Sequence, residues 1–234
     1  MTRGMLITFI GSNGSGKTTI INKIIDELNK DSIIIKNDGK YIKLWNVYKF
    51  PNRNTVIGKK IDDFLKKKIN LSKEIELKFF ADNRKEFQNE IMKLLINGYN
   101  VICDRYVYCS LAYTMTNQTM SIKNYKNSKG ILSIDDVLKY DNKLIKPDYT
   151  FLIIGNHLSL RKETAEIYHK VGAFNDVLLN NYIISLTHTK SAFTIIENEF
   201  GKLDEIVEIV INKIKNININ RYGNKIFDNY ISKF

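Results

Sequence analysis

Residues 11–18 read G-S-N-G-S-G-K-T, between the apolar run Met5–Ile10 and a stretch of helical periodicity, Lys17–Leu28. No other feature of the chain constrains its fold as tightly. The glycines let successive backbone N–H groups turn inward around an anion, and the following helix adds the positive end of its dipole. The spacing G-x-x-x-x-G-K-[ST] puts Lys17 on the β- and γ-phosphates of a nucleotide and the Thr18 hydroxyl on Mg²⁺. Gly11, Ser12, Asn13, Gly14, Ser15, Gly16 and Thr19 complete the expected triphosphate cradle. A Gly/Ser turn before an ordinary helix is the bland alternative. Against it, Ile20, Ile21, Ile24, Ile25 and Leu28 share one helical face, so strand, loop and amphipathic helix follow in the order this chemistry requires.

The rest of the chain alternates in the same way. Strands are expected at Ser32–Lys36, Val101–Asp104, Tyr149–Ile154 and Phe193–Ile196, and helices at Thr55–Ile69, Lys73–Leu95, Tyr106–Met115, Ala173–Leu186 and Leu203–Ile214. Asn37–Asn52 reads as a loop, and Thr116–Ser133 as a loop or surface insertion because it is polar and weakly patterned. Alternation of this kind means an α/β fold with a parallel sheet covered on both faces. The two prolines, Pro51 and Pro147, fall at loop or strand entries, and no linker divides the chain. One domain over 1–215 is expected, followed by an extension at 216–234.

Composition removes several function classes. No run is long and apolar enough to cross a bilayer, and the two cysteines, Cys103 and Cys109, form no C-x-x-C, so a soluble intracellular protein in a reducing compartment is expected. His157, His169 and His188 share no metal-ligand spacing. The net charge of +11 suits anionic ligands; its lysines are dispersed rather than striped with aromatics, which favours nucleotides over nucleic acid.

A second substrate must meet the phosphate donor. Three segments suggest where: FPNRNTVIGKKIDDFL at 50–65, FFADNR at 79–84 and CDRYVYCSLAY at 103–113. Arg53, Arg84 and Arg105 could receive a phosphate monoester, for which the guanidinium fork is suited. Phe80 and Tyr113 could stack on a base. Asp104 ends a strand, where such folds place a carboxylate near Mg²⁺. Phe50, Leu65 and Phe80 also read as core at helical spacing, and Tyr113 and Tyr168 as packing residues.

These segments resemble the thymidylate kinase family. FP-x-R-x-T-x-IG and DRY-x-[YF]-S-x-x-A-[YF] carry the resemblance, supported by KPDYTFLI at 146–153 and EIYHKVGAF at 166–174. It implies the P-loop nucleoside monophosphate kinase fold with a mobile lid at about 156–172, a homodimer, and ATP-dependent phosphorylation of dTMP to dTDP with Mg²⁺. By matching position, Arg53 would bind the dTMP phosphate and Phe80 would stack on thymine. Arg84 would meet the base edge, Arg105 would bridge phosphates, and Asp104 with Thr18 would serve the metal. Tyr113 would press on the sugar where a 2′-hydroxyl would clash, Tyr168 would close the lid, and Phe50 and Leu65 would line the pocket. Lys17, Asp104 and Arg105 then make up the catalytic set, with a lid cation.

Three positions depart from the family pattern. Asn13 stands where the family carries the acid that contacts the acceptor's 3′-hydroxyl, so weaker sugar recognition is expected. Cys109 stands near the base where Ser is common. Gly14 stands where one branch carries Arg, which points to Arg161, with Lys162 second, as the cation supplied from the lid. The departures leave two rivals, dUMP or another deoxynucleotide as acceptor and a nucleotide-binding protein that has lost turnover, and the net charge of +11 leaves a third, a nucleic-acid ATPase.

Overall fold

Leu6–Ile10 (β1) is buried at every position, as a strand covered on both faces must be. The structure, a computed structural model, describes residues 3–30, 33–35, 41–124, 131–155 and 172–217. Arg161, Lys162, Tyr168, the two histidines His157 and His169, most of the lid and the tail from 218 lie outside the described residues.

β1 is flanked by Asn100–Asp104 (β5) and Tyr149–Gly155 (β6). With Trp45–Lys49 (β4) and Phe193–Asn198 (β7) they form a five-stranded sheet of order β4-β5-β1-β6-β7, parallel throughout. Parallel strands place all five C-terminal ends on one edge, where ligands bind in open α/β sheets. Helices Lys17–Asn29 (α1) and Leu203–Lys215 (α8) cover one face around Ile20, Ile24 and Val210. The other face carries Val107–Asn124 (α5) and Ala173–His188 (α7), with Leu111, Leu178 and Tyr182 in its core. No helix among the described residues is long and apolar enough to cross a membrane.

Four expectations need correction. The stretch read as a loop at 37–52 contains the edge strand β4; only Trp45 is buried in it, so its apolar signal is weak, and pairing with β5 makes the strand. The Asn29 side chain supplies what a neighbour would on the other side, accepting from Trp45 N at 3.1 Å and donating to Trp45 O at 3.2 Å. Ile33–Ile35 (β2) does not join the main sheet but pairs antiparallel with Tyr41–Lys43 (β3).

The pattern at 73–95 is two helices, Lys73–Lys85 (α3) and Gln88–Ile96 (α4). They break where Phe87 turns its ring edge-on to Phe50 and Tyr48, both 5.9 Å away. The polar stretch from Thr116 continues α5 to Asn124. Two of its polar side chains are satisfied inside the fold: Thr116 donates to Ala112 O at 2.7 Å and accepts from Asn181 Nδ2 at 3.0 Å, while Gln118 exchanges two bonds with the Leu132 backbone. A short helix, Ile134–Tyr140 (α6), follows. Ser133 opens it with a capping box: its Oγ accepts from Asp136 N at 3.1 Å, and the Asp136 carboxylate accepts from Ser133 N at 3.1 Å.

Candidate active site

The loop from Gly11 to Gly16 joins β1 to α1 and is tied down from three sides. Tyr182 of α7 donates to Gly11 O at 3.3 Å, Arg105 donates to the same carbonyl at 3.0 Å, and Asn198 at the end of β7 donates to Ser15 O at 2.9 Å. Gly16 caps α1 with φ of 88°, and a Cβ there would sit 2.1 Å from Asn198 Nδ2, so both backbone conformation and space require glycine. No side chain caps α1, which leaves its first N–H groups facing the loop for an anion.

Lys17 is buried, with Nζ donating to Ser12 O at 2.6 Å and Ser15 Oγ at 3.0 Å. Burial, reinforced by the nearby Arg105 cation, pushes its pKa well below the usual lysine value, and the Asp104 charge pulls the other way. An arriving phosphate would favour the ammonium. Thr18 Oγ1 donates to Asp104 Oδ2 at 2.7 Å, so the first turn of α1 and the end of β5 bring a hydroxyl and a carboxylate together. That donor set is hard oxygen throughout and fits Mg²⁺, which keeps the rest of its shell for water and substrate phosphates.

Arg105 follows Asp104 with φ of 71°, a left-handed conformation that few non-glycine residues adopt. Its fork spans two parts of the site: Nη1 reaches Gly11 O and Nη2 reaches Asn13 Oδ1. Asn13 therefore presents its amide oxygen to the arginine. Cys109, one turn into α5, accepts from Tyr182 OH at 3.4 Å.

Beside the loop opens a cleft of roughly 690 Å³, solvent at its mouth included. Asn13, Phe50, Arg53, Leu65 and Phe80 line it, and so do Arg84, Arg105, Cys109 and Tyr113. These residues come from the phosphate loop, the β4–α2 loop, Val56–Leu65 (α2), α3, the β5–α5 turn and α5, so only the fold brings them together. Phe50 and Leu65 are buried and form the floor, whereas Phe80 and Tyr113 are half-buried and offer ring surface. Arg53 is solvent-exposed and pairs with Asp62 Oδ1 at 2.5 Å, on the same carboxylate that takes Lys66. Arg84 is buried and grips Asp141, just past α6, through Nε and Nη2 at 2.7–2.9 Å.

Glu76, Tyr106, Ser110 and Thr114 also line the cleft and were not singled out in the sequence. The signal was helical spacing: Glu76, Phe80 and Arg84 succeed one another at i+4 on α3, as Cys109–Tyr113 and Ser110–Thr114 do on α5. Tyr182 and Asn198 left no such signal, since one reads as core and the other as a strand end.

A model of the family described as thymidylate kinase matches residues 9–166. The thymidylate kinase of Plasmodium falciparum (isolate 3D7) is 33% identical over 174 residues, 72% of this chain and 71% of that protein. Among solved structures, a thymidylate kinase from Candida albicans gives a TM-score of 0.75 at 28% identity, covering 91% of this chain and 92% of its own. One from Ehrlichia chaffeensis, at 21% identity, TM-score 0.62 and coverage of 91% and 99%, is a likeness of fold alone.

Proposed function

The chain belongs to the thymidylate kinase family and phosphorylates dTMP to dTDP with ATP, and we propose that the cleft beside the phosphate loop is where dTMP is held for the transfer. The observation that carries this is the meeting of Arg53, Phe80, Arg84, Arg105 and Tyr113 around one opening next to Lys17. An oxygen of the dTMP phosphate attacks the γ-phosphorus of ATP, the bond to the β–γ bridging oxygen breaks, and ADP leaves. Such a reaction needs positioning and charge stabilisation rather than a covalent intermediate.

Lys17 and the amides of the loop hold the ATP phosphates. Mg²⁺, held by Thr18 with Asp104 in its shell, would neutralise charge on the ATP phosphates. Arg105, linked to the loop through Gly11 and Asn13, bridges donor and acceptor phosphates. Arg53 binds the acceptor phosphate by exchanging Asp62 for it, Phe80 stacks on thymine and Arg84 meets the base edge. Tyr113 presses on the sugar, which excludes a ribonucleotide. Arg161 from the lid supplies the cation that Gly14 cannot, with Lys162 second and Tyr168 closing over the nucleotide. The family's homodimer belongs to the same reading.

The test is a panel of nucleoside monophosphates assayed for ATP-dependent ADP release. dTMP is expected to give the highest kcat/KM; equal rates across the panel, or release stimulated only by DNA, would refute the assignment of the cleft. Arg53→Ala is expected to lower kcat/KM for dTMP about tenfold, about 1.4 kcal/mol in transition-state terms, with the KM for ATP nearly unchanged. Equal losses for both substrates would mean misfolding instead.

Asn13→Asp addresses the sugar. The new carboxylate would pair with Arg105 and still accept from the 3′-hydroxyl, and a charged acceptor makes the stronger bond. Its dissociation constant for dTMP is expected to fall more than that for the 3′-deoxy analogue. An identical response of the two would place Asn13 away from the sugar.

A further inference from the structure

We propose that Asp141 is a positioning residue for base recognition: by holding one edge of the Arg84 guanidinium it aims the other edge at the base, and so selects a 4-oxo pyrimidine over the 4-amino pyrimidine cytosine. The inference rests on the reading of the cleft as the acceptor site.

Arg84 sits in the last turn of α3 and Asp141 just past the end of α6, and both side chains are almost fully buried, at 3% and 1% exposure. The pairing is two-pronged. Nε donates to Oδ1 at 2.9 Å, and Nη2 reaches both carboxylate oxygens, at 2.7 and 2.8 Å. A guanidinium is planar, with its donors fixed in direction, so committing the Nε edge fixes where the remaining edge points. Nη1 has no hydrogen bond among the described residues, and Arg84 lines the cleft. The edge that carries Nη1 is therefore the part a base can meet.

A guanidinium donates and never accepts. The 4-carbonyl of thymine or uracil accepts such a bond. The 4-amino group of cytosine turns a donor against it and leaves both groups unpaired. Sites built around a specific hydrogen bond reject an analogue that cannot make it far more strongly than apolar pockets reject a methyl group. Rejection needs the donor to stay in place, since a swinging arginine could turn aside and let the amino group in. Asp141 removes that freedom and neutralises the buried cation. A second buried pair, Arg3 with Asp148, lies at the opposite edge of the sheet, where Asp148 also accepts from Leu6 N at 2.8 Å. It supplies a comparison in which stability changes without the cleft.

The experiment measures kcat/KM for dTMP, dUMP and dCMP, the KM for ATP and the thermal midpoint in wild type, Asp141→Asn, Asp141→Glu and Asp148→Asn. Asp141→Asn is expected to lower the dTMP:dCMP ratio about tenfold, mainly through the KM for dTMP. The dTMP:dUMP ratio should stay within about twofold, because both bases carry the 4-carbonyl and differ only by a methyl group. Asp141→Glu keeps the charge, and so decides the matter if the Asn variant does not fold. Its extra methylene displaces the guanidinium, with an expected fall of about threefold in the same ratio. Asp148→Asn should lower the thermal midpoint and leave both ratios alone. Unchanged dTMP:dCMP selectivity in the folded Asp141 variants overturns the inference. If Arg84→Ala leaves saturation by dTMP untouched, the acceptor-site reading itself fails, and this inference with it.

Discussion

A Lys17→Ala enzyme is expected to transfer phosphate about 10³-fold more slowly than wild type, about 4 kcal/mol of transition-state stabilisation, while saturating with dTMP at nearly the same concentration. The ammonium is buried and, among the described residues, its hydrogen-bond acceptors are the Ser12 carbonyl and the Ser15 hydroxyl of its own loop, with no carboxylate bonded to it. A cation kept there without a paired anion costs stability, and burial, then Arg105, already pushes its pKa down. Phosphate oxygens that gain charge during transfer repay that cost, which is why the loss should fall on kcat. The same argument gives the stability sign: removing an uncompensated buried charge should leave the thermal midpoint unchanged or raised. Loss of activity with a strongly lowered midpoint would mean that Lys17 holds the loop together instead.

Arg105→Lys is expected to lower kcat/KM for dTMP about 100-fold, about 2.7 kcal/mol, although the charge is kept. Arg105 spans the site with two nitrogens, one on the Gly11 carbonyl and one on the Asn13 amide oxygen. A lysine has one nitrogen at the end of a flexible stem, so it cannot occupy both fork positions and hold the two acceptors in the same geometry. The loop would then lose its tie to the acceptor side. Steady-state kinetics with each substrate varied in turn provides the check, and Arg105→Ala should be only modestly worse than Arg105→Lys. A lysine enzyme within about threefold of wild type would show that charge alone, not the fork, matters here.

Much of this site was legible because its code is local. The phosphate loop needs only a strand, glycines in fixed order and a helix, all within residues 5–28. Arg53 and Asp104 were legible for the same reason: Arg53 sits in a loop beside Pro51, where burial as core is implausible, and Asp104 ends a strand. Arg84 was only half legible. Its place on the α3 face follows from helical spacing, but its partner is 57 residues away and nothing in the local sequence names Asp141.

The amino-acid sequence by itself pointed to the chemistry at the ends of the strands: a loop shaped for phosphate, a hydroxyl and a carboxylate suited to a metal, and arginines suited to an anion. Periodicity settled that the sheet is parallel and covered on both faces. Tertiary structure decided what depends on a distant partner. Trp45–Lys49 became a strand because β5 offered it a ladder, and Thr116–Asn124 stayed helical because α7 and the Leu132 backbone satisfied two of its polar side chains. Arg84 was aimed because Asp141 arrived from another helix. The physical reason is common to all three. Backbone propensity and hydrophobic period act over a few residues, whereas a buried polar group or an edge strand is stable only once its hydrogen-bond partner, however remote in sequence, is in place.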